Sequence, residues 1–223
     1  ALYIPSTGII DSHGVMSKLE SISKLQDVDF LYKTDVTSIE FKDELYRIYI
    51  NGSKEYIISD IVINTAGLWS DAISKMVGID SYEIEYYKGD YFKSQSIKNL
   101  NCLIYPLPKM SSLGIHTVLS LNGDVSFGPN LYKVNKIDYS IDDRFKERYI
   151  QEISNLIDVD NLELHKDFSG IRPKIKFDGF FNDFVIKNEK NNGYNNFINL
   201  IGIDSPGLTS SLAIARYVES LIN

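Results

Sequence analysis

The chain has 223 residues, 43% of them hydrophobic, enough to bury the core of one large domain or two smaller lobes and too many for a disordered polymer. With 30 acidic and 23 basic residues its formal charge is -7, which disfavours nucleic acid and anionic membrane as partners while leaving room for a locally basic cleft. Cys102 is the only cysteine, so an intramolecular disulfide is excluded; the three histidines, at 13, 116 and 165, lack tight metal spacing, and no metal site is expected. Neither end carries a long apolar run, so the expected location is the cytoplasm, at most peripheral to the inner face of the membrane.

Residues 12–25 read as a helix, with Val15, Leu19, Ile22 and Leu25 on one face and Asp11 or Ser12 as its cap. From 30 to 59 the period changes to two. Val36, Ile39 and Phe41 lead into the strand 45–50, Asn51-Gly52 marks a tight turn, and 55–59 returns, predicting a small antiparallel meander. Residues 61–63 read as a buried strand ending in Asn64-Thr-Ala-Gly67, and 68–77 as the next helix. Between about 81 and 139, tyrosines, glycines and short apolar alternations predict an antiparallel sheet distinct from the first lobe. Helical spacing returns near 141–157, followed by strands around 167–176 and 183–186 and a polar hairpin or loop at 188–196. The last segment is a short buried strand, 197–203, and a helix, 208–221, with apolar Leu208, Leu212, Ala215, Val218 and Leu221. This order predicts two interwoven lobes, not beads on a linker.

The junction Gly202-Ile-Asp-Ser-Pro-Gly-Leu-Thr-Ser-Ser-Leu-Ala-Ile-Ala215 joins strand to helix through two glycines and a proline. Its helix start presents the backbone N–H groups of 208–211 to a phosphate, a carboxylate or an electron-rich ring edge, or else is capped by Ser205 or Thr209. His13 follows a strand-to-helix turn and His116 alternates with Ile115 and Val118 on a strand; each is either an acid, base or anion donor at a cleft or an ordinary surface or strand histidine. His165, between Leu164 and Lys166, reads as a surface residue. Pro173 biases Arg172 towards extended backbone, aiming a planar, permanently charged fork either at a substrate carboxylate or into a structural ion pair. Lys88 and Tyr105 add a charge and a hydroxyl, or pack within a twisted sheet. No Gly-x-Gly-x-x-Gly, phosphate loop, serine elbow or Cys-x-x-Cys occurs in the sequence.

Taken in order, Thr7-Gly-Ile-Ile-Asp-Ser-His13, Val62-Ile-Asn-Thr-Ala-Gly67, Lys88-Gly-Asp-Tyr-Phe92, Leu103-Ile-Tyr-Pro106, Gly114-Ile-His-Thr117, Phe127-Gly-Pro129, Gly170-Ile-Arg-Pro-Lys174 and the final junction resemble the flavin-dependent D-amino-acid oxidase superfamily, nearest its L-2-hydroxyglutarate dehydrogenase or oxidase branch. The resemblance implies a mixed α/β (α+β) fold, with an incomplete FAD-binding lobe of the glutathione-reductase type over 1–80 and 165–223 interwoven with an antiparallel-sheet substrate lobe over 81–164. It implies FAD as cofactor, with Val36 by the adenine end, Ala66, Gly67 and Gly170 lining the dinucleotide cleft, and Ser205, Pro206, Gly207, Leu208 and Thr209 meeting the flavin ring. It makes His13, His116 and Arg172 the candidates for handling a 2-hydroxy acid and its carboxylates, with Lys88 and Tyr105 as weaker ones. The glycine-rich front of the family is absent from these residues. The implied partners are therefore a small 2-hydroxy acid, a separate amino-terminal flavin-binding segment, and other copies of the chain through an uncovered sheet. The alternatives are a non-catalytic binding or structural remnant, and an oxidoreductase acting on amino acids or glycerol 3-phosphate.

Overall fold

The computed structural model describes residues 1–98, 100–107, 114–158, 161–176 and 183–222. In chain order the elements are α1 (Ser12–Lys24), β1 (Val36–Lys42), β2 (Leu45–Ile50), β3 (Tyr56–Ser59), β4 (Val62–Asn64), α2 (Ser70–Met76), β5 (Ile84–Ser94), β6 (His116–Leu119), β7 (Val125–Gly128), β8 (Tyr132–Val134), α3 (Lys146–Ser154), β9 (Leu164–Ile175), β10 (Val185–Asn188), β11 (Phe197–Ile201) and α4 (Gly207–Leu221). None of these helices is long and apolar enough to cross a membrane. The chain divides into two compact units, one of 1–32, 89–131 and 139–170, the other of 33–88, 132–138 and 171–223. The division expected from the sequence, 1–80 with 165–223 against 81–164, differs because the boundaries fall inside the long strands β5 and β9, and because residues 1–32 group with 89–131.

In the second unit, β1, β2 and β3 form the expected meander. The Asn51-Gly52 turn has both residues at positive φ (51° and 68°), and Ser53 N–H closes it onto the Ile50 carbonyl at 2.9 Å. A second sheet runs β10-β11-β4, with β11 antiparallel to β10 and parallel to β4. Alternation sends Phe197 towards the meander and α2, where it packs with Ile39, Tyr46, Val77 and Ile79, while Ile198 and Leu200 face Val218 of α4. All five β11 residues are buried, but β4 lies at the sheet edge and Ile63 stays 43% exposed.

The helix at the carboxyl end departs from the sequence expectation. Leu208 and Leu212 are 51% and 67% exposed, and the packed positions are Gly207, Ile214, Val218 and Leu221. The inward face is thus rotated from the one the apolar spacing suggests.

In the first unit, β7 is sandwiched between β6 and the second half of β5. Tyr149 and Ile153, one turn apart on α3, are fully buried against Phe92, Phe127 and Val125, each contributing roughly 1.5–3 kcal/mol of apolar burial. The Tyr149 hydroxyl donates to Asp90 O at 2.5 Å and accepts from Asn130 N at 2.8 Å, so the ring's polar end is satisfied inside the core. Helix α1 is capped as expected, Asp11 Oδ1 accepting from Gly14 N at 2.9 Å, and none of its residues is buried among the described residues.

Candidate functional site

A cleft of about 590 Å³ opens in the second unit between β9 and the start of α4, lined by Arg172, Lys174, Asp183, Asp204, Ser205 and Pro206 among others. Arg172 and Lys174 are two apart on β9 and therefore share a face. Both approach Asp204 Oδ2, Lys174 Nζ at 3.1 Å and Arg172 Nη1 at 3.8 Å. Lys174 is thus the nearer counter-charge, and Arg172 is held by a long, single-point pair in which its planar fork is not used. Asp183 turns its Oδ1 to the Phe184 N–H at 2.7 Å.

At the start of α4 no side chain caps the helix, so the alternative of a Ser205 or Thr209 cap is not the one found. Gly207 N–H donates to Asp204 O at 2.5 Å and Ser210 N–H to Pro206 O at 3.0 Å. Of the amides 208–211 expected to point outward, only those of Leu208 and Thr209 lack a partner among the described residues, because the helix begins at Gly207 and its first internal bonds take the rest. Ser205 and Pro206 are exposed beside them and Gly207 is buried.

A second, apolar groove of about 570 Å³ also borders α4, lined by Ile63, Thr65 and Gly67 from the end of β4 and by Gly207, Ile214 and Val218 from the helix, Ile214 being common to both. Gly67 has φ +56°, and an added Cβ would meet no atom within 4 Å, so the backbone here borders open space. Asn64 holds the turn, its Oδ1 accepting from Ala66 N at 3.2 Å. Candidates proposed separately from sequence, Gly67 with Gly207 and Arg172 with Ser205 and Pro206, thereby line two pockets that border the same helix. Lys88, also in this unit, is buried on β5 opposite Tyr132 of β8. Val36 packs partly buried on the core that includes Ile39 and Tyr46.

In the first unit His116 begins β6, buried, its ring stacked on Tyr105 at 4.2 Å and 20°. Nδ1 lies 2.9 Å from the Gly114 carbonyl, which can only accept. The proton therefore sits on Nδ1, and in the neutral ring Nε2 carries the lone pair. His13, the second residue of α1, and His165 on β9 are both exposed. Gly170 of β9 is half-buried and, like Gly67, has open space where a Cβ would sit. No group of His, Cys, Asp or Glu suited to a metal occurs among the described residues. Sequence reading missed Lys174 and Asp204; the i, i+2 spacing of Arg172 and Lys174 on a strand was the available signal for the first, and nothing local signalled the second.

The mixed α/β fold with antiparallel sheets is shared with solved FAD-binding oxidoreductases. The chain superposes on the L-alpha-glycerophosphate oxidase of Mycoplasma pneumoniae with FAD bound at a TM-score of 0.76 and 24% identity, over 93% of this chain and 55% of that one. The chain belongs to the DAO family, FAD dependent oxidoreductase, which matches residues 1–221. It is 31% identical to the mitochondrial L-2-hydroxyglutarate dehydrogenase of Arabidopsis thaliana, over 99% of the chain and 55% of the relative. It is also 30% identical to a glycerol 3-phosphate dehydrogenase of Caloramator mitchellensis, over 100% of the chain and 45% of the relative. The chain spans about half the length of these relatives.

Proposed function

We propose that this chain contributes the substrate anchor and one wall of the flavin site to an FAD-dependent oxidoreductase that converts an L-2-hydroxy acid, of the size and charge of 2-hydroxyglutarate, to the 2-oxo acid. The observation that carries the reading is Arg172: a permanently charged fork, only loosely paired at 3.8 Å, on a cleft beside a helix start with two amides unpartnered among the described residues. The names of several relatives, L-2-hydroxyglutarate dehydrogenases, support the substrate class.

The residues present fit the ring end of such a cofactor. The open backbone at Gly67 and the apolar strip of Ile214 and Val218 suit a flat aromatic surface, and the Leu208 and Thr209 N–H groups suit an electron-rich edge. The pyrophosphate end has no Gly-x-Gly-x-x-Gly among the 223 residues, so its anchorage must come from other residues. When bound, FAD supplies the hydride acceptor.

In this scheme Arg172 takes the substrate carboxylate in two parallel charged hydrogen bonds and so fixes which face of the alcohol carbon is offered. Lys174 keeps Asp204 from competing for that fork. A general base takes the hydroxyl proton as the C–H hydride leaves, giving the C=O of the product.

A second reading, glycerol 3-phosphate as substrate, is favoured by the Caloramator relative, and an Arg–Lys pair suits a phosphate as well as a carboxylate. The two are separated by titrating the FAD-loaded protein, with a glycine-rich flavin-binding segment supplied in trans, with L-2-hydroxyglutarate, glycerol 3-phosphate and L-proline. Saturable binding of the hydroxy acid supports the proposal. Binding of the phosphate ester alone moves the chain to the second reading, and binding of none identifies a non-catalytic remnant.

A further inference from the structure

Beneath the Thr65–Gly67 turn runs a continuous chain of buried polar side chains that the reaction scheme does not use. Glu189, fully buried, accepts from Tyr82 Oη at 2.7 Å, Asn192 Nδ2 at 2.6 Å and Asn199 Nδ2 at 2.9 Å, and pairs with Lys187 at 3.3 Å. Asn199 Oδ1 in turn accepts from Asn64 Nδ2 and Ser74 Oγ, both at 2.8 Å. Asn64 Nδ2 also donates to Ser70 O at 2.7 Å, and its Oδ1 accepts from Ala66 N–H at 3.2 Å.

The donor–acceptor sense of this chain is set at both ends, by the Glu189 carboxylate, which only accepts, and by the Ser70 carbonyl and the Ala66 N–H, which fix Asn64. A carboxylate only accepts, so Asn199 must turn its NH₂ to Glu189 and its oxygen to Asn64. That leaves Asn199 Oδ1 as the acceptor for the NH₂ of Asn64, whose oxygen faces Ala66. We propose that Glu189 is a positioning residue for the cofactor wall: through Asn199 and Asn64 it fixes the Ala66–Gly67 turn in the conformation that borders the apolar groove. That the groove receives a flavin rests on the function proposed above; the relay itself does not.

The test moves the carboxylate along the relay. Glu189→Gln presents an amide that can meet Asn199 in either orientation, so Asn199 loses its fixed sense and Asn64 Nδ2 loses its assured acceptor. The double variant Glu189→Gln/Asn199→Asp places the carboxylate one step along the chain, where it accepts both from the amide introduced at position 189 and from Asn64, and the acceptor that holds Asn64 against the turn is restored. Amide hydrogen exchange at Ala66 and Gly67 is read on the protein without cofactor, and FAD affinity on the same protein with the flavin-binding segment supplied. The single variant should exchange faster at Ala66 and weaken FAD by about tenfold or more, the loss of one buried hydrogen bond, and the double variant should return both close to wild type. An unchanged Ala66 exchange rate in Glu189→Gln, or a folded double variant no better than the single, overturns the relay. If the single variant does not fold, the double variant decides alone: wild-type protection at Ala66 upholds the relay, and lost protection refutes it. Wild-type protein that binds no FAD while the exchange pattern holds refutes the flavin reading and leaves the relay standing.

Discussion

Replacing Arg172 separates the two roles open to it, ion-pair partner and carboxylate anchor. The structure sets the magnitudes. Arg172 pairs with Asp204 at 3.8 Å, its side chain is 32% exposed, and Lys174 already pairs with the same carboxylate oxygen at 3.1 Å. Removing Arg172 therefore leaves Asp204 paired, and the fold should lose no more than about 1 kcal/mol, the range of partly exposed ion pairs. A substrate carboxylate that loses a bidentate charged contact should instead lose about 2–5 kcal/mol, a Kd increase of roughly 30-fold to several thousandfold. Arg172→Lys keeps the charge without the fork and should recover only part of that loss. The assay pairs urea unfolding of Arg172→Ala with titration of the flavin-loaded protein by the hydroxy acid. A variant destabilised by more than about 2 kcal/mol with unchanged affinity would make Arg172 a structural residue and refute the anchor.

Tyr149→Phe removes two buried hydrogen bonds at no cost in packing and should destabilise the protein by about 2–4 kcal/mol in urea unfolding, against the few tenths expected of an exposed Tyr217→Phe. Burial raises the phenol pKa of Tyr46, Tyr82 and Tyr149 above the ordinary value, with Glu189 adding to the rise at Tyr82. A raised folded-state pKa stabilises fully below the unfolded value, about 10, and is lost as pH rises past it; stability should fall steadily above pH ~10, and less steeply in Tyr149→Phe. Hydrogen bonding from Lys133 lowers the Glu85 carboxyl, a contribution present above the ordinary carboxylate pKa and lost as pH falls through the depressed one. In Lys133→Met the Glu85 titration followed by NMR should move up towards the ordinary value; an unmoved titration would mean that the pair is not formed in solution.

Much of the scaffold is legible in the sequence because its signals are local. The Asn51-Gly52 turn, the Asp11 cap and the five-residue run of β11 each follow from a few adjacent residues. The turn joining β1 to β2 is harder to read: Asp43 and Glu44 both adopt positive φ (55° and 60°), which Asp tolerates but Glu does not favour, so the pairing of Lys42 with Leu45 imposes it on Glu44. The face of α4 misleads because Leu208 and Leu212 satisfy a helical spacing yet stay exposed, while Gly207 packs where an added Cβ would strike Ile203 at 2.5 Å. The candidate site divides in the same way. Arg172 and the Ser205–Gly207 junction are marked by glycine and proline. Asp204 and the Glu189–Asn199–Asn64 relay depend on partners up to 135 residues apart, whereas the asparagines of 188–196 are turn formers as expected, Asn188 capping the turn at 189–192 and Asn196 adopting positive φ.

The measurement that bears most directly on the proposed function is anaerobic bleaching of the flavin absorbance in the FAD-loaded protein, complemented by the glycine-rich segment, on mixing with the L and D forms of 2-hydroxyglutarate, glycerol 3-phosphate and L-proline. The predicted result is bleaching by the L-hydroxy acid with one equivalent of 2-oxo acid formed per flavin reduced, slower bleaching by the D form, and loss of the reaction in Arg172→Ala. Flavin that bleaches only with the amine or the phosphate ester, or a reaction with the L-hydroxy acid that survives intact in Arg172→Ala, would contradict it.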